Sequence, residues 1–115
     1  MKKAHFMLPQ ADKYLISVSP EGHIRKEGIN KPPPLEVIQK IVGGYFELVP
    51  YFTKYDGSAC LAFCNENGKL QHVNLPYNRF AHALWEKAVG RPITEDHLVG
   101  TIAIIVGPEK FLRSL

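Results

Sequence analysis

Two short apolar runs constrain this chain more than anything else in it. Ala59-Cys60-Leu61-Ala62-Phe63-Cys64 and Thr101-Ile102-Ala103-Ile104-Ile105-Val106 are of strand length. Turn residues bound them: Asp56-Gly57-Ser58 and Asn67-Gly68 around the first, Gly100 and Gly107-Pro108 around the second. Both read as buried strands, the first as a central one. Neither approaches the roughly 20 apolar residues that a membrane span requires. The fold must be built around a sheet. The chain's 115 residues make one domain's worth, long enough to bury about two-thirds of the unfolded surface without disulfides.

Other strands and helices follow from pattern and punctuation. Tyr14-Leu15-Ile16-Ser17-Val18 is rich in strand formers, Ser19-Pro20-Glu21-Gly22 is a turn, and His23-Ile24-Arg25-Lys26-Glu27 returns with the charge of an edge strand. Pro32, Pro33 and Pro34 forbid a ladder and lead into a helix whose apolar face is Leu35, Ile38, Ile41 and Val42, ended by Gly43. Tyr45-Phe46-Glu47-Leu48-Val49 is a strand that Pro50 confines to an edge or ends with a bulge. Asn67-Gly68 is the strongest hairpin signal, because a type I′ turn needs positive φ at both positions, and residues 69–73 are the expected returning arm. Asn78 caps a helix over 79–89 with Phe80, Ala81, Leu84, Trp85 and Ala88 as its buried stripe, and residues 109–115 suit a short terminal helix. The order ββαβββαβ predicts an α+β fold: a mostly antiparallel sheet of five or six strands with two helices on one face. Residues 1–13 have no clear period and read as a first short strand or a loose arm.

Composition narrows function mainly by exclusion. The net charge is +3 and the basic residues are scattered, so nothing prompts a nucleic-acid reading. Pro9, Gln10, Asp12 and Lys13 interrupt any signal-peptide core after Met1-Lys2-Lys3, and the expectation is a cytoplasmic protein without a membrane segment. No phosphate loop, zinc-protease helix or nucleophile elbow is present, so the sequence names no catalytic residue, metal ligand or cofactor. Cys60 and Cys64, four apart on a strand, lie about 13 Å from each other. That is too far to bridge, and they read as small apolar residues on one face, with Ala62 between them. Pairing either with His72 or His82 as a thiol enzyme conflicts with their apolar setting.

Candidate site residues come from local oddities. Arg79 opposes the dipole of the helix it begins, a charge that a ligand or partner would explain. With Asn78 and Tyr45 it is the expected lining of a ligand pocket. Glu47 stands mid-strand beside Phe46. It is either an ordinary exposed residue, the favoured reading, or a buried functional carboxylate in need of a partner. Phe46, Tyr51, Phe52 and Tyr55 crowd one strand and its exit with both parities represented, so they cannot all face a core, and they are the expected interface.

Several blocks carry a family resemblance. They are Ile41-Val42-Gly43-Gly44-Tyr45-Phe46-Glu47, Asn65-Glu66-Asn67-Gly68-Lys69-Leu70, Leu75-Pro76-Tyr77-Asn78-Arg79, and the closing strand from Gly100 to Gly107. In these blocks, over roughly residues 14–108, the chain resembles a domain-of-unknown-function family found in bacteriophages, plasmids and bacterial genomes. It departs by its three-proline connector and a longer loop after Pro50. The resemblance brings no activity. It implies a small accessory protein of mobile-element origin, and the expected partner is a host protein or regulatory factor. The alternatives are a small-molecule or nucleotide-signal ligand, a second copy of the chain, and a small enzyme.

Overall fold

A computed structural model describes residues 12–115. The arm or strand expected within residues 1–13 therefore lies, but for its last two residues, outside the described residues. Nine elements follow in chain order: β1 (Tyr14–Val18), β2 (Ile24–Gly28), α1 (Leu35–Val42), β3 (Phe46–Leu48), β4 (Lys54–Tyr55), β5 (Ser58–Asn65), α2 (Arg79–Val89), β6 (Ile102–Val106) and α3 (Glu109–Leu112). The sheet is antiparallel throughout, in the order β2-β1-β6-β5-β3, with β4 also on β5. The two apolar runs are inner strands, the first central as expected. β2, charged and exposed along its whole length, is one edge, and β3, stopped short of Pro50, is the other. No helix among the described residues is long and apolar enough to cross a membrane.

The helices do not share one face, which corrects the expected layering. Ala81 and Trp85 of α2 pack with Ile16, Val18, Cys60, Ala62, Ile102 and Ile104. Ile38 and Val42 of α1, and Leu112 of α3, pack on the opposite side with Leu15, Ala103 and Ile105. The cause is visible in β6, where all five residues are buried. Successive side chains of a strand point to opposite faces, so a strand apolar at every position needs cover on both.

The expected hairpin is also displaced. Residues 69–73 form turns rather than a strand, and neither Asn67 nor Gly68 has positive φ. The two-residue hairpin instead joins β4 to β5 at Asp56 (φ 51°) and Gly57 (φ 82°), with Tyr55 opposite Ser58. Two positive φ values match a type I′ turn. Gly68 is needed for a different reason. A Cβ there would stand 2.8 Å from Val99 Cγ2, so a side chain would push the loop before α2 away from the loop after it. The order ββαβββαβ holds, with β4 in place of the arm expected at 69–73 and α3 added at the end.

Candidate functional site

Asn78 is fully buried and spends its whole side chain on the fold. Oδ1 accepts from the Ala81 N–H (2.9 Å), capping α2 as expected, while Nδ2 donates to Val18 O (2.9 Å) and Gly100 O (2.8 Å). The amide thus ties the start of α2 to the ends of β1 and β6. It has no surface left for a ligand. Arg79 beside it is exposed, its guanidinium carbon 4.8 Å from the centroid of the Phe80 ring. That ring sits against Gly22, where a Cβ would meet it at 2.9 Å. A cation over an aromatic face gives the helix-start arginine a packing role.

Tyr45 and Glu47 lie at the sheet's outer edge, on β3 and its approach, two strands from β6. Glu47 is exposed, as favoured, and pairs with Cys64 across the ladder. It shares a cavity of about 70 Å³ with Cys64, Lys69, Trp85, Asp96 and His97. The Lys69 ammonium is ion-paired with Asp96 there. Partial burial pushes the Asp96 carboxyl up, but bonds from Lys69 and its neighbours outweigh it and hold it below its ordinary value. The cavity holds a few waters at most. Tyr45, Asn78 and Arg79 are not in its wall.

The thiols are poorly placed for chemistry. Burial pushes Cys60 up to about 12, against a small opposing effect of Lys54. Burial, then the charge of Glu47, pushes Cys64 up to about 11. Both are free and protonated at neutral pH. His72 is exposed on the 69–73 turn, and His82 is buried in α2 with Nε2 3.0 Å from Ile93 O. No group of three or more His, Cys, Asp or Glu among the described residues suits a metal ion.

The expected aromatic interface divides. Phe52 is 1% exposed and belongs to the α2-side core, which corrects its assignment as a contact residue. Phe46 is half-buried, edge-on to Phe63 with centroids 5.2 Å apart, and Tyr55 packs against the α2-side core. Tyr51 is 79% exposed, Tyr45 68% and Leu48 51%, so the outward set is Tyr45, Leu48 and Tyr51. The sequence reading did not select Leu48. Its parity with Phe46 on an edge strand was the available signal.

Tyr51 is held as well as exposed. Its φ is 63°, in the left-handed region, which costs a residue with a side chain roughly 1–2 kcal/mol. Anchors on both sides impose that geometry. Trp85 Nε1 donates to Pro50 O (2.8 Å), and after Tyr51 the Phe52 ring is buried and Cys60 N donates to Thr53 O (3.0 Å). β3 itself offers free backbone. Val49 N donates to Ala62 O (2.8 Å) and Tyr45 O accepts from Glu66 N (3.0 Å), so the odd positions bond inward to β5. In an antiparallel ladder the alternate residues turn away, which leaves Phe46 and Leu48 with N–H and C=O groups at the sheet's outer edge.

No curated protein and no solved structure matches this chain. The family model for a domain of unknown function, DUF3846, matches residues 13–112. That span includes both edges, both cores and every residue weighed above, and the chain belongs to that family.

Proposed function

We propose that this chain is a non-catalytic accessory protein, of the kind carried by bacteriophages and mobile elements, which binds a host protein through the β3 edge. The observation that carries this reading is Tyr51, an exposed ring kept in a costly backbone conformation by the buried residues around it. Strain at an exposed side chain persists only when the surroundings over-determine it, and it gathers at functional sites. A pre-positioned aromatic also loses little freedom on binding, which is why such residues dominate interfaces. Tyr45 and Leu48 add exposed apolar surface on opposite faces of that edge, and the free groups of Phe46 and Leu48 suit an added strand.

The test is affinity capture from lysate of the source cell with tagged wild-type protein, Tyr51→Ser, Leu48→Glu and Arg79→Ala. Wild type and Arg79→Ala are expected to retain one partner that Tyr51→Ser and Leu48→Glu lose. A partner kept by both edge variants would place the interface elsewhere. No partner for the wild type would sink the reading.

A further inference from the structure

α1 covers Ala103 and Ile105 of its face but leaves Arg25 and Glu27 of β2 exposed. It follows the connector from the Gly28 end of β2 and finishes at the far end of β5, where Asn65 Nδ2 donates to Val42 O (3.2 Å). It packs on β5, β6 and β3. This diagonal opens a groove of about 620 Å³ between the helix and the β1–β2 ribbon, within the usual range for ligand sites.

Register decides what lines it. Leu15 stands opposite Glu27, and Ser17 opposite Arg25. Leu15 belongs to the α1-side core, so all four project to that face. Lys26 also lines the groove, but its side chain faces the other way, the ammonium 4.3 Å from the centroid of the Tyr14 ring. Thr101 continues the series of Ala103 and Ile105 along the same face and lines the groove. α1 contributes Lys40 near its C-terminal end, beside Ile41.

The groove is therefore polar in a directional way. Arg25, Lys40, Ser17 and Thr101 lie towards one end, two cations and two hydroxyls. Neither cation is ion-paired among the described residues. The floor is apolar, from Leu15 and Ile41, and Glu27 stands at the other end. A guanidinium fork with an ammonium and hydroxyls is the donor set that recognises an oxyanion.

We infer that this groove binds a small organic anion: a phosphate or carboxylate at Arg25 and Lys40, an apolar body over Leu15 and Ile41, and a hydrogen-bond donor reaching Glu27. The groove lies on β1 and β2, at the opposite edge of the sheet from β3. Nothing in the local sequence marks it, because its residues come from two strands, a helix and a loop.

The test is a fluorescence titration of the full chain with anilinonaphthalene sulfonate, which carries an anion, apolar rings and an N–H donor. The neutral congener phenylnaphthylamine is the control. One saturable site is expected, weakened about tenfold by Arg25→Glu and by Lys40→Glu, as loss of a charge-assisted bond predicts. Tyr51→Ser should leave it unchanged. Both charged residues are exposed, and circular dichroism of the variants checks the fold. Displacement by adenosine monophosphate would mark the anion as phosphate, and by indole carboxylate as carboxylate. Equal affinity in the charge-reversed variants, loss in Tyr51→Ser, equally tight binding of the neutral congener, or displacement by neither competitor would overturn the inference.

Discussion

On the α2 side of the sheet, Ile16, Val18, Phe52, Ile102 and Ile104 are at most 1% exposed, and a fully buried asparagine joins three elements above them. On the α1 side the helical cover is Ile38, Val42 and Leu112, at 3–8% exposure, from a helix of eight residues and another of four. The Pro34 before α1 makes no side-chain cap, while Asn78 caps α2. The closed side fixes geometry: it holds Pro50 through the Trp85 indole and so presents Tyr51. The partly roofed side has room for a groove. Both faces bury their sheet residues, Ala103 and Ile105 as fully as Ile102 and Ile104; they differ in how the helix is fixed and in the groove beside it, about 620 Å³ on the α1 side against about 340 Å³ on the α2 side.

The sharpest way to break that comparison is a pair of truncations. Phe52→Ala should cost about 4 kcal/mol and Ile38→Ala about 2 kcal/mol, since the open side can collapse around the smaller residue. Equal losses in denaturant unfolding would show the two cores to be alike. Asn78→Ala should cost about 3 kcal/mol, combining a lost cap with unpaired buried carbonyls. Asn78→Ser, which restores only the cap, should recover about 1 kcal/mol of it. Full recovery by serine would mean that the bonds to Val18 and Gly100 contribute nothing.

A further effect is expected at high pH. Both thiols line the α2 side, and burial raises them from an ordinary 9.0 to about 12 and about 11. The unfolded chain then loses these protons first. The thiols' contribution to stability is whole below pH 9 and falls as pH rises through the window to about 12. A melting-temperature scan should decline there, less steeply in Cys60→Ala. A slope unchanged by that variant would remove the thiol as its source. The smallest change expected is a gain: Tyr51→Gly should stabilise the protein by about 1 kcal/mol by relieving the left-handed backbone, while abolishing partner capture. A loss of stability would mean that the ring supports the fold.

Much of this was legible in residue order. Gly43 and Gly90 stopped the helices where expected, and Asn78 capped α2. The charge of β2 and Pro50 after β3 marked the two edges. One further signal was present and misread. A five-residue strand with no polar position, Ile102–Val106, already demands two covered faces. The hairpin went to Asp56-Gly57 because strand pairing rewarded a turn there, where Lys54 and Ala59 can pair. The segment after Gly68 instead turns back on itself, the Leu75 N–H donating to Gly68 O (2.8 Å).

Local chemistry thus determined the elements, their ends, the central and edge positions of the strands, and the α+β class, because capping, turn preference and apolar run length act over a few residues. The tertiary structure alone decided which side of the sheet each helix covers, that Phe52 is core while Tyr51 is surface, and that Arg25, Ser17, Thr101 and Lys40 share a groove. Those outcomes depend on register and on contacts between residues far apart in the chain, and a one-residue shift in register would turn Ser17 or Arg25 to the other face.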